Sequence, residues 1–217
     1  FQDQIEQSET KDKHILNKIQ NMGKLTLIHH PLCPYAARAH LALLYKGIDF
    51  EEQIVDVKNK SEEFLKLNPL GKVSVLLLED GTSIYESLPV LELLDTLPQY
   101  AHTPKLYPTD PVEKAQAEMK IARLGGLINS LCSYVSKSAE AGLKDLDKKI
   151  STFEELIGDK PYLGGESPNV VDFAVIPWFD RYSSIPDFVE QLSKSAVAPA
   201  YIERVHKIPA VDTARVR

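Results

Sequence analysis

The chain has 217 residues, 43% hydrophobic and 26% charged, a balance that excludes global disorder and suits two modest domains, each with its own core. A formal net charge of −6 argues against nucleic acid or an anionic membrane surface as the main partner. Two cysteines, Cys33 and Cys132, cannot build a disulfide framework and suit a reducing compartment, and no apolar run approaches the roughly 20 residues of a membrane helix.

Residues 1–23 are polar and mixed in charge, with neither a secretory apolar core nor the acid-poor composition of a transit peptide. They read as an extension or a processing remnant, in which Ile15, Leu16, Ile19 and Met22 would line one side of a short helix. Residues 24–30 read as a short buried strand and 34–46 as a helix, with Pro34 at its first position and Gly47 as its stop. A second strand is expected over 50–57, a short helix over 61–67, a third strand over 73–78, a turn at Asp80-Gly81, a fourth strand over 82–85 and a helix over 86–97. The order β-α-β-α-β-β-α joins a parallel pair to an antiparallel hairpin, which makes a mixed sheet.

Residues 98–110 hold three prolines and read as an interdomain linker. Beyond them the strand signal vanishes. Asp110, Pro111 and Glu113 open a helix whose Val112, Ala115, Met119 and Ala122 recur on one face, and Gly125-Gly126 is expected to kink it or to admit a close crossing. A helix over 145–157 closes at Gly158. Residues 161–165 form a turn, and Asn169 with Asp172 caps a helix running through Phe173, Ile176 and Trp178. Further helices follow Pro186 and Pro199. The layout is a polar extension at 1–23, an α/β domain at 24–97, a linker at 98–110 and an all-α C-terminal domain at 111–217.

Cys33 is the sharpest chemical feature. It lies between a strand and a helix, where its sulfur is expected to face the unpaired N–H groups of the helix start, an arrangement that favours a thiolate. The motif is Cys-Pro-Tyr-Ala, with no resolving cysteine, so a second thiol would come from solution. The alternative is a small buried core residue. His29, His30 and Cys33 fall within one turn without a tetrahedral partner set, so no metal is expected. Glu86-Ser87 at a helix start suits either an α-amino acid head group or simple capping. Lys60 reads as solvated surface, Cys132 as a core thiol, and Trp178 and Phe179 as core or cleft walls.

Cys33-Pro34-Tyr35-Ala36, then Asn68-Pro69-Leu70-Gly71-Lys72-Val73, then Tyr85-Glu86-Ser87, resemble the three N-terminal blocks of cytosolic glutathione transferases. Cys-Pro-Tyr-Ala and the segment from Val57 to Lys60 resemble the omega class most, with the lambda and dehydroascorbate reductase classes as close relatives. Residues 161–165, the Asn169/Asp172 cap and residues 208–211 resemble the family's second domain. The resemblance implies a thioredoxin-like N-terminal domain that binds glutathione. Cys33 would form the mixed disulfide, with Tyr35 at the pattern's aromatic position. Lys60 would meet the glycine carboxylate, the Val73 backbone would pair with the cysteinyl unit, and Glu86 and Ser87 would hold the γ-glutamyl ammonium and carboxylate. The pattern has a Pro, normally cis, where this chain has Ser74, and the resemblance then implies weaker glutathione binding. The chain stops soon after Val211, so a more open acceptor pocket is expected than in omega members.

The resemblance thus implies a thiol transferase or dehydroascorbate reductase, with glutathione and a small electrophile or disulfide as its partners and no metal. A cytoplasmic homodimer is expected, or an organellar one if the N-terminus is a processed remnant. The rival is an interaction or scaffold subunit of a larger assembly, since folds are reused across functions.

Overall fold

The computed structural model of the protein describes residues 24–214, so the extension, with the short helix expected around Ile15 to Met22, lies outside the described residues. Strand β1, Leu25–His29, is buried along its whole length and sits at an inner position of a four-stranded sheet. β2, Phe50–Ile54, runs parallel to β1, and β3, Val75–Leu77, runs antiparallel to it. β4, Ser83–Tyr85, closes the edge antiparallel to β3 through the Asp80-Gly81 turn. The mixed sheet is the expected one. β2 and β3 are shorter than the apolar runs imply. Residues 73 and 74 stay outside the ladder, and the bond between them is cis.

Helix α1, Pro34–Lys46, starts on Pro34 and ends where the Gly47 N–H reaches back to the Leu43 and Leu44 carbonyls with φ of 65°. Two short helices complete this half: α2, Glu62–Leu67, and α3, Ser87–Thr96. The segment expected to be a linker is strapped down. It contains a 3₁₀ turn, Pro98–Tyr100, and a fully buried Leu106. The Asp95 carboxylate accepts the N–H groups of Leu106 and Tyr107 and the Lys46 ammonium, at 2.6 Å. Buried donors and acceptors need such partners, so this polar knot holds the crossing between the two halves.

The second half is helical: α4, Pro111–Ser136; α5, Ala139–Leu143; α6, Leu146–Ile157; α7, Val170–Tyr182; α8, Pro186–Ser193; α9, Ala198–His206; and α10, Pro209–Ala214. Helix α1 packs against α3 in its own half and against α7 and α10 in the other, inside one continuous apolar cluster.

One expectation for α4 fails, and the helix buries a stripe other than the one read from the sequence. The face through Val112, Ala115, Met119 and Ala122 points outward, and the buried line is Ala117, Ile121, Leu124, Ile128 and Leu131. Both stripes have helical spacing, and periodicity alone does not choose between them. Helix α4 also runs unbroken through Gly125-Gly126, with open space around Gly125. The close crossing lies instead at Gly142, where an added Cβ would stand 2.4 Å from the Tyr134 Cβ.

The Asn169 cap forms as expected, with Asp172 closing the box. Asp172 is fully buried and accepts from the N–H groups of Leu163, Gly164 and Asn169 and from the Tyr201 hydroxyl. Burial pushes its carboxyl above the ordinary range, against the pull of those four donors. Asp172→Ala strands all four, so a loss of about 3 kcal/mol is expected. Thermal unfolding should show it as a fall in Tm of about 6–12 °C for a chain of this size.

Candidate functional site

Four separate stretches meet at one cleft of about 480 Å³: the loop after β1 with the first turn of α1, Val57 beyond β2, the 68–74 segment before β3 and the start of α3. Cys33, Tyr35, Val73, Glu86 and Ser87 all line it. Lys60 does not. It is exposed at the rim, its ammonium 3.3 Å from where a Cβ on Gly71 would stand. Asn68, nearly fully buried, ties the turn by donating to the Lys72 carbonyl at 2.7 Å and accepting the Leu70 N–H at 3.0 Å. Gly71 meets the turn's demand for a φ of +60°.

Cys33 is the N-cap residue of α1, and its carbonyl accepts the Ala37 N–H at 3.0 Å. Its side chain makes no cap hydrogen bond. The sulfur faces across the cleft to the Val73 carbonyl at 4.0 Å, not to the helix N–H groups as expected. Pro34 removes the first of those donors, while the helix dipole still places positive potential at this end. His29 and His30 are engaged elsewhere: His29 Nε2 lies 2.8 Å from Glu52 Oε2, and His30 Nδ1 accepts the Leu32 N–H. Among the described residues no group of three or more His, Cys, Asp or Glu is placed to hold a metal ion, and no helix is long and apolar enough to cross a membrane.

Glu86 precedes α3 with φ of 71°, a conformation that costs a non-glycine residue about 1 kcal/mol or more. Its side chain is exposed and makes no cap hydrogen bond. Beside it, the buried Ser87 begins α3 with its oxygen turned to the first helix, at 3.2 Å from Arg38.

Tyr35 stands between this cleft and a second one of about 630 Å³. Its ring meets Trp178 edge-on at 4.8 Å, and its hydroxyl lies 3.9 Å from the Cys132 sulfur. Burial is the main force raising the Tyr35 phenol above its ordinary range, and the neighbouring Cys132 adds to it. Cys132, expected in the core, is half-buried on the wall of the second cleft with Leu32, Val135 and Ile185. Trp178 and Phe179 are core residues. Arg181 donates to the Pro31 carbonyl and ties α7 to the loop that carries Cys33.

Arg38 is the residue that sequence reading passed over. Its one signal was a charge among the alanines of a buried helix face. It is 5% exposed and donates to the Ala174 carbonyl and the Ser87 hydroxyl. Its guanidinium lies 4.5 Å from the Trp178 ring centre and 5.3 Å from that of Tyr35. Burial lowers its pKa to about 10.

Family comparison agrees with this architecture. Residues 32–97 match the glutathione S-transferase N-terminal domain, and residues 136–204 match the glutathione S-transferase C-terminal domain. Mouse glutathione S-transferase omega-1 is 34% identical over 168 residues, covering 75% of this chain and 69% of that protein. The chain belongs to the glutathione S-transferase family. Glutathione transferase Omega 3C of Trametes versicolor superposes with a TM-score of 0.80, covering 94% of this chain and 95% of that one, at 24% identity. Rice GST1, solved in complex with glutathione, superposes with a TM-score of 0.75 over 89% of this chain and 92% of that one, at 26% identity. The glutathione S-transferase fold therefore spans nearly all the described residues, and the residues lining the cleft that holds Cys33 come from its first half.

Two glycines test the geometry. Gly71→Ala forces a side chain into a positive φ against Leu65 and Lys60, and a loss of about 1 kcal/mol or more is expected. Gly125→Ala enters open space within a helix and is expected to stabilise by about 1 kcal/mol. Thermal unfolding of the two variants should shift in opposite directions.

Proposed function

We propose that the protein is a glutathione-dependent transferase of the thiol-transfer type, working through Cys33. The observation that carries this reading is a half-buried cysteine at the head of α1, in the same cleft as a Glu86 and a Ser87 that capping does not use. A glutathione molecule suits the cleft end to end. Glu86 is the acid for its γ-glutamyl ammonium. The Ser87 hydroxyl and the free N–H groups at the start of α3 suit its α-carboxylate. The Val73 backbone, outside the sheet ladder, is open to pair with the cysteinyl unit. Lys60 stands at the rim for the glycine carboxylate.

The Cys33 thiolate attacks one sulfur of a disulfide R–S–S–G, forms a Cys33–S–S–G bond and expels R–S⁻, which takes a proton from water. The thiolate of a second glutathione then attacks the glutathione sulfur of that bond. It releases glutathione disulfide and restores Cys33. The second cleft, walled by Tyr35 and Leu32, suits the acceptor group R. Dehydroascorbate is an alternative two-electron acceptor for the same pair of thiols.

A homodimer is part of this reading. The exposed apolar residues of α4, with Val112 63% and Met119 64% accessible, form a face that the single chain leaves uncovered.

The function is tested with hydroxyethyl disulfide and dehydroascorbate as acceptors. The wild type is expected to reduce at least one of them, and Cys33→Ala to fall to the uncatalysed rate. Intact mass after treatment with glutathione disulfide should show one glutathione on the wild type and none on Cys33→Ala. An unchanged rate in Cys33→Ala would refute the mechanism. Absence of both adduct and glutathione retention would leave an interaction module. For assembly, sedimentation of Met119→Glu should give a monomer where the wild type gives a dimer.

A further inference from the structure

Arg38 is a buried cation without a matching anion. Among the described residues no carboxylate lies within ion-pair distance of it. A charge withdrawn from water is costly unless something answers it. The contacts it makes are neutral: the Ala174 carbonyl at 2.9 Å, the Ser87 hydroxyl at 3.2 Å and the faces of Trp178 and Tyr35. The bond to Ala174 and the stacking on Trp178 join α1 to α7 and are structural. The bond to Ser87 has a further consequence. Arginine offers donors only, so the Ser87 oxygen must accept from it. The one hydroxyl proton of Ser87 is then left to point away from Arg38, and Ser87 lines the cleft. A serine that could donate or accept is set as a donor, with a positive charge behind it.

We propose that Arg38 is a positioning residue of the glutathione site, orienting the Ser87 hydroxyl as a donor to an anionic group and supplying the buried positive charge that this group answers. The inference rests on the proposed glutathione reading, and the group concerned is the γ-glutamyl α-carboxylate. Arg38 touches neither the ligand nor the reacting sulfur. It acts through Ser87, and it holds the Tyr35 ring that divides the two clefts. No carboxylate of the described residues pairs with Arg38, and the γ-glutamyl carboxylate is the one that would.

The test is a coupling measurement by calorimetry on the full chain. Two probes are compared: S-methylglutathione, and the same tripeptide with a 4-aminobutyryl group in place of the γ-glutamyl group, which lacks only the α-carboxylate. In the wild type, loss of the carboxylate is expected to weaken binding about tenfold or more. In Arg38→Met the same loss should weaken binding less than about threefold, because the donor is no longer set and the charge is gone. A merely structural arginine would lower both affinities together and leave their ratio at the wild-type value. That result, in folded Arg38→Met, overturns the inference. Should Arg38→Met not fold, Arg38→Lys carries the test. One ammonium keeps the charge but cannot reproduce the planar fork, so KM for glutathione should rise about threefold or more with kcat held. An unchanged KM overturns the inference. A wild type that binds neither probe refutes the glutathione reading itself, which separates the two failures.

Discussion

A single guanidinium links the two helices whose starts line the site to a third, α7. Arg38 leaves α1 one turn after Cys33, reaches the first residue of α3 through Ser87, and lies against α7 through Ala174 and Trp178. Apolar packing could hold these helices together in many registers, since burial of surface is not directional. A planar fork with fixed donor directions accepts few. The relative placement of the Cys33 end of α1 and the Ser87 end of α3 therefore depends on one buried side chain.

The same logic recurs at three further knots. Asn68 closes the turn that carries Gly71 beneath Lys60, Asp95 straps the proline-rich crossing to α1 and α3, and Asp172 gathers the 163–164 turn, the α7 cap and Tyr201. Each is a short polar side chain buried so that it satisfies backbone donors or acceptors that would otherwise be stranded. The apolar cluster between them is continuous across both halves, so the knots, and not a gap in the core, decide where the chain changes direction.

The cleft inherits its chemistry from ends rather than from middles. Cys33 heads α1, Glu86 and Ser87 head α3, and Val73 lies just before β3. Helix starts carry free N–H groups, and residues beside a strand carry unpaired backbone, so a peptide ligand finds hydrogen-bond partners there without unfolding anything. Tyr35 gives the arrangement two compartments. The residue lines both clefts, and its hydroxyl reaches Cys132 on the wall of the second.

Strong local signals were legible in the sequence. Pro34 and Gly47 bounded α1, Asp80-Gly81 marked the hairpin, and Asn169 with Asp172 marked the α7 cap, because each of these acts on its own neighbours. The Cys-Pro-Tyr-Ala turn was legible for the same reason. What could not be read was every choice between equivalent surfaces. The stripe from Val112 to Met119 and the stripe from Ala117 to Leu131 have the same helical spacing, and only the partner helices decided which one was buried. Cys132 was indistinguishable from a core thiol until α7 and the Tyr35 ring placed a cleft in front of it. Arg38 stood as one charge among alanines, and its meaning came from Ser87 and Ala174, 49 and 136 residues away in the chain. Backbone propensity is set by neighbours in sequence, whereas the worth of a buried charge is set by whatever the tertiary fold brings against it.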